Sequence, residues 1–352
     1  MNDISLVIAR KLSARLPFYY GWIVVFAAGT TTFARMAPST TTLAVFVSPM
    51  ADEFGWSRTL IAGSVSLGAL SSIFISPAVG WAVDRYGVRL TLTLSMLVLG
   101  VAMISLVWAT VPVFFYMGFA TGRVIFHVPV QIGTGALISR WFIRKRGRAI
   151  GIIYLAGAVG GIVTVQIASL AISHWSIGAA WISLGVLVLA VAVLPSALLI
   201  VDRPETIGLQ PDNQPPASCE GRAELEKDSH GETDWTPHQA MRTRALWVLT
   251  VVVGVLFMTQ AGVSVHVGAF FLDRGLSLTA AANAITVYAA VNAFASLMWG
   301  VIIERTTVRV AMTGLMLLSA TCSLSLLSVT SEGSAFGMAA LLGLVAAGGN
   351  VI

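Results

Sequence analysis

Read for hydropathy alone, the chain alternates between long apolar runs and short polar breaks. Nine runs of about 20 residues or more fall at 20–47, 57–82, 90–109, 112–138, 148–173, 177–201, 246–271, 279–302 and 309–330, and a tenth begins at 335–352. At 1.5 Å per residue, each is long enough as a helix to cross about 30 Å of hydrocarbon. The pattern predicts an all-α, multi-spanning membrane protein. The polar stretch at 202–244 interrupts it. Five prolines and nine of the sixteen acidic residues lie there, a composition that suits a cytoplasmic linker rather than a packed core. Within it, Thr236 followed by Pro237 reads as a helix start. Three segments follow: an N-terminal six-span bundle with its leader at 1–201, the linker at 202–244, and a partial bundle of spans 7–10 at 245–352.

Composition agrees. Of the 352 residues, 57% are hydrophobic and 11% charged, against about 25% charged in a soluble domain. The first 17 residues carry Arg10, Lys11 and Arg15 but no apolar core or cleavage site, so they read as a cytoplasmic leader. Counting loops alternately puts seventeen of the 21 Lys and Arg residues on the leader's side. Only Arg58 and Arg274 lie opposite, while Arg35 and Arg123 fall within spans. That bias orients the N-terminus toward the cytoplasm. The net charge of +5 forms no contiguous soluble patch, so nucleic acid is not an expected partner. Cys219, in the linker, and Cys322, in a span, give no reason to expect a disulfide. No phosphate loop, metal-spaced cluster or nucleophile motif occurs. An enzyme, a cofactor and a metal are not expected.

The chain also repeats itself. A shift of 220 residues lays Gly55, Ser57 and Thr59 on Gly275, Ser277 and Thr279. It also lays Gly80, Asp84, Arg85 and Arg89 on Gly300, Glu304, Arg305 and Arg309. Transporters are often built from such repeats, with the substrate near the midplane between them.

After span 2 the chain reads Gly80-Trp81-Ala82-Val83-Asp84-Arg85-Tyr86-Gly87-Val88-Arg89. This resembles the cytoplasmic Gly-x-x-x-Asp-Arg-x-Gly-x-Arg motif of the major facilitator superfamily. Four further features are similar to its monocarboxylate-transporter and oxalate/formate-antiporter branch. They are Tyr20-Gly21-Trp22; Phe54-Gly55-Trp56-Ser57-Arg58; Trp141-Phe142 with Arg144 to Ala149 and Gly151; and Arg203-Pro204-Glu205 with Gly208-Leu209 and Pro211-Asp212. The resemblance implies a bundle of twelve spans, of which ten are present: six, then four of an expected six. The chain stops at Gly348-Gly349-Asn350-Val351-Ile352, inside an apolar run, so a C-terminally truncated member is expected. Thr307 stands where the second repeat would match Gly87. Asp84 is expected to pair with Arg85, Arg89 or a neighbouring helix N-terminus, in a contact that breaks and re-forms as the halves rock. Glu304, Arg305 and Arg309 repeat it. The plainer reading is that these arginines only mark the cytoplasmic side.

Ionisable groups inside the bilayer are costly and therefore informative. All sixteen acids fall in loops, the leader or span ends. The interior holds Arg35 in span 1, Arg123 and His127 in span 4, and His266 in span 7. A positive interior favours an anion, and guanidinium suits a carboxylate. Arg123, His127 and Gln131, spaced four apart, would share one helix face. Arg123 sits about eleven residues, or ~16 Å, from the outer end of its span. Thr31, Arg35 and Ser39 make a similar stripe, and Tyr288 and Asn292 would complete a substrate site from the second half. The competing role for one arginine is structural, bonded to carbonyls freed near Pro38 or Pro129. His127 and His266 are candidate proton carriers; neutral histidines in helix interfaces are the plainer alternative. Glycines 147, 151, 157, 160 and 161 suit close helix approach along span 5. The anion-transporting relatives place positive residues in spans 8 and 11. Span 8 here has none, so the resemblance leaves the particular anion open.

The expected function is a secondary transporter of small organic anions, monocarboxylate or dicarboxylate. It would work by alternating access with proton coupling or exchange, as a monomer in the cell membrane. The alternatives are a transport-inactive sensor or assembly subunit retaining the fold, or a transporter of another small solute.

Overall fold

The computed structural model describes residues 2–213, 237–275, 277–329 and 331–351. Cys219, Thr236 and the side chains of His266 and Thr279 lie outside the described residues. Among those described, nine helices are long and apolar enough to cross a membrane, and every regular element is helical. Contacts divide the chain into two compact units, Met1–Asp212 and Asn213–Ile352.

The first unit opens with α1 (Asn2–Arg15), then α2 (Gly21–Ala34) and α3 (Thr40–Phe54). The apolar run at 20–47 is one span by length, and the structure divides it near Pro38. Pro38 has no N–H to continue the ladder, and Ser39 restarts the chain as N-cap of α3, its hydroxyl accepting from the Thr42 N–H. Next come α4 (Arg58–Tyr86), α5 (Val88–Ser105), α6 (Pro112–His127) and α7 (Pro129–Trp141). Span 4 is therefore also two helices, parted at Val128 by Pro129. α8 (Arg146–His174), α9 (Ile177–Val188) and α10 (Leu194–Leu199) complete the unit, the last two joined by a π turn over Leu189–Val193 that precedes Pro195.

Span 5 lies against span 1 at two of its glycines. A Cβ on Gly160 would stand 2.4 Å from the Phe33 carbonyl oxygen, and one on Gly157 3.1 Å from Thr32. Gly161 faces open space. Tyr19, Tyr20, Trp141 and Asp212 make their polar contacts at one end of this unit. Tyr19 Oη donates to the carbonyls of Trp141 (3.1 Å) and Gln210 (3.0 Å), and Tyr20 Oη to that of Leu199 (3.0 Å). Trp141 Nε1 donates to Val201 (2.8 Å). Asp212 Oδ2 accepts from the N–H groups of Ile143 and Arg144 (2.8 and 2.5 Å). These residues bind the segments at this end to one another, an architectural role.

The second unit comprises α11 (Pro237–Met241), α12 (Arg244–Asp273), α13 (Leu278–Arg305), α14 (Val308–Ser325) and α15 (Glu332–Val351). Its bounds follow the first unit at the 220-residue shift. Gly55 and Gly275 both take left-handed φ (67° and 81°), and Ser57 and Ser277 both cap the next helix, accepting from Leu60 and Ala280. The short 3₁₀ turn at Leu106–Trp108 recurs at Leu326–Ser328. The units differ where proline differs. α15 runs unbroken through Gly348-Gly349, the counterparts of Val128-Pro129.

Candidate functional site: two arginines at two helix breaks

Arg35 is the C-cap of α2, at the break of span 1, and Arg123 lies in the last turns of α6, just before the break of span 4. Both are 5% exposed. Each reaches across to the other's break. Arg35 Nη1 donates to the Phe126 carbonyl (3.1 Å), and Arg123 Nη1 donates to the Pro38 carbonyl (3.3 Å). Those carbonyls are available because a helix leaves its last carbonyls without intrahelical donors and proline removes a further one. Close approach is permitted by two glycines. A Cβ on Gly68 of α4 would lie 2.3 Å from Arg123 Cβ, and one on Gly122 would lie 3.0 Å from Pro38 Cβ.

The arginines are under-used. A guanidinium offers five N–H donors. Nε of both Arg35 and Arg123 is buried without a partner, and among the described residues neither arginine forms an ion pair. Both cationic carbons lie over the Phe126 ring, 5.0 Å (Arg35) and 4.7 Å (Arg123) from its centre. Arg123 Nη2 lies 2.8 Å from His127 Nε2. A guanidinium only donates, so Nε2 accepts and the imidazole proton sits on Nδ1.

Arg35, Arg123 and His127 are thus brought together in one place. Gln131 is not with them: the break at Val128 ends the four-residue register, and Gln131 is exposed on α7. Thr31 and Ser39 are buried and serve their own helices, Thr31 donating to Ala28 and Ser39 capping α3. Tyr288 and Asn292 belong to the second unit. Tyr288 lines a cavity of about 20 Å³ there with Gln260, Ser319 and Ser323, room for one water. At the 220-residue shift Gly68 falls on Tyr288 and Arg123 on Gly343. A Cβ on Gly343 would stand 2.5 Å from the Tyr288 carbonyl. Large and small residues have exchanged places at one helix crossing, so the second unit has no cation there.

At the motif of residues 80–89 the side chains take separate partners. Asp84 is exposed at the end of α4 and pairs with neither Arg85 nor Arg89, and Gly80 faces open space. Arg85 stacks over Trp81 instead, 5.8 Å from the ring centre. Asp202, which the sequence did not single out, takes the position at a helix N-terminus. Its Oδ1 accepts from the Arg89 N–H (3.0 Å), placing a carboxylate at the start of α5. Arg89 Nε donates to Ala197 (2.9 Å), and its Nη1 to Ser5 Oγ of α1. Gly87 has φ 87°, and a Cβ there would meet Asp202 Oδ2 at 2.6 Å. Thr307 stands at ordinary φ (−77°) and caps α14 with its own hydroxyl, so the second unit needs no glycine. Glu304, Arg305 and Arg309 stand at the matching end of α13 and start of α14.

Residues 19–352 match the model of the Major Facilitator Superfamily. The chain belongs to that family. Over 151 residues it is 29% identical to an uncharacterised MFS-type transporter, YcxA, of Bacillus subtilis (strain 168), a stretch of 43% of this chain and 37% of that protein's length. The fold is similar to the proton:xylose symporter XylE bound to 6-bromo-6-deoxy-D-glucose, with TM-score 0.66 and 13% identity over 94% of this chain and 80% of that one. It is also similar to an inward-facing, unoccupied bacterial homolog of the human lysosomal transporter Spinster, with TM-score 0.57 and 18% identity over 94% and 74%. Family membership places the chain among transporters rather than enzymes.

Proposed function

We propose that this protein is a secondary transporter of small organic anions, mono- or dicarboxylates, working by alternating access in the cell membrane as a monomer with its N-terminus in the cytoplasm. One observation carries the reading: two buried guanidiniums meet without a carboxylate, each with an unbonded Nε. Burying an unpaired cation is expensive. A guest carboxylate would supply the missing acceptors with charge-assisted hydrogen bonds, and the carbonyls now bonded are neutral dipoles it can outcompete. The motif at Asp84, Arg85 and Arg89, with Glu304, Arg305 and Arg309, serves as the gating contact in this reading. His127 and His266 are its candidate proton carriers.

Because both arginines also tie together the breaks of spans 1 and 4, a purely structural role for them is the second reading. The two separate on uptake. With the protein reconstituted in liposomes and labelled lactate, formate and oxalate supplied with and without a pH gradient, Arg35→Ala and Arg123→Ala are each expected to abolish saturable uptake while insertion is retained. Normal uptake by both variants, or uptake of none of these anions by the wild type, would contradict the anion reading.

A further inference from the structure

Deep cations in proteins are commonly held by carboxylates, and here no acid does so. What the two guanidiniums share is a ring. Both cationic carbons lie within 5.0 Å of the centre of Phe126. The same residue's carbonyl accepts from Arg35. Its ring packs edge-on against His127, centres 4.9 Å apart at 83°, and His127 in turn accepts from Arg123. Phe126 therefore touches all three polar members of the site. It is half-buried while the arginines are almost fully buried.

We propose that Phe126 is the positioning residue of this site, holding two like charges together without cancelling either. The inference rests on Arg35 and Arg123 being the anion's ligands. An aromatic face attracts a cation through its quadrupole and carries no net charge. A carboxylate in the same place would fix the guanidiniums equally well, but it would neutralise the field that draws an anion. A leucine would fill the space and leave the cations to repel each other out of register. The ring keeps both cations within reach of one centre and leaves the full positive charge for the guest.

The test is steady-state uptake of labelled lactate and oxalate into liposomes by the wild type, Phe126→Leu, Phe126→Trp and Arg35→Ala, each first matched for monodispersity and thermal unfolding. Phe126→Leu is expected to raise KM about tenfold with little change in maximal rate, and Phe126→Trp to restore KM to within about threefold of wild type. If Phe126→Leu fails to fold, Phe126→Met and Phe126→Glu take its place. Phe126→Met is expected to raise KM as leucine would, and Phe126→Glu to fold and lose uptake. A leucine or methionine variant with wild-type KM, beside an inactive Arg35→Ala, would overturn the role of Phe126 and leave the anion reading standing. Normal uptake by Arg35→Ala would remove Arg35 as a ligand and overturn the shared role of Phe126, whereas no saturable uptake of either anion by the wild type would overturn the anion reading itself.

Discussion

At residue scale, the chemistry lies in who donates and who accepts. His127 accepts from Arg123, so a proton arriving on Nε2 would set two donors face to face and must break that bond. Arg35, which lies over the same Phe126 ring as Arg123, is the other cation near this group. Replacing His127 by Asn keeps an acceptor but removes the titration. Uptake by His127→Asn is expected to persist and to lose its stimulation by an inward proton gradient. Undiminished stimulation would remove His127 as the carrier. Asp202 makes a simpler case. Its carboxylate caps α5 from another segment and fixes Arg89, so Asp202→Ala is expected to cost about 1 kcal/mol and lower the unfolding temperature by a few degrees. An unchanged melting curve would refute the cap. The arginines were visible in the sequence as lone charges in apolar runs. Phe126 and Asp202 were not, because an aromatic among apolar residues and an acid among loop acids carry no local mark. Only the fold shows what they face.

At the scale of elements, prolines and glycines decide what the hydropathy pattern leaves open. A run such as 20–47 reads as one helix because apolar periodicity does not register a missing N–H. Pro38 and Pro129 were the available signals, and each sits at a break. The glycines of span 5 were legible as a packing stripe, yet spacing alone could not rank them. The structure does. Gly160 meets the backbone of Phe33, which cannot yield, whereas Gly161 meets nothing. Gly160→Ala is expected to destabilise the detergent-solubilised protein by at least ~1 kcal/mol through overpacking, and Gly161→Ala to leave it unchanged. Equal stability of the two variants would contradict the close approach of α2 and α8. The 220-residue repeat was also legible. Its exceptions, Thr307 for Gly87 and Gly343 for Arg123, mark where the second unit solves the same local problem with different side chains.

For the molecule as a whole, membrane character and family follow from features that recur along the chain, which is why they were readable early: apolar run lengths, sided positive charge, and one motif. In the proposed function, substrate preference rests on a single crossing of two broken spans in the first unit, where, among the described residues, two arginines meet without a carboxylate. The most direct measurement is counterflow in liposomes with matched pairs of labelled solutes, a carboxylate and the primary amide of the same skeleton, for the wild type and for Arg35→Gln/Arg123→Gln. The wild type should exchange the carboxylate and ignore the amide, and the double variant should exchange neither carboxylate at a measurable rate nor show altered insertion. Exchange of the neutral amide as readily as the acid, or wild-type carboxylate exchange in the double variant, would contradict a cationic anion site.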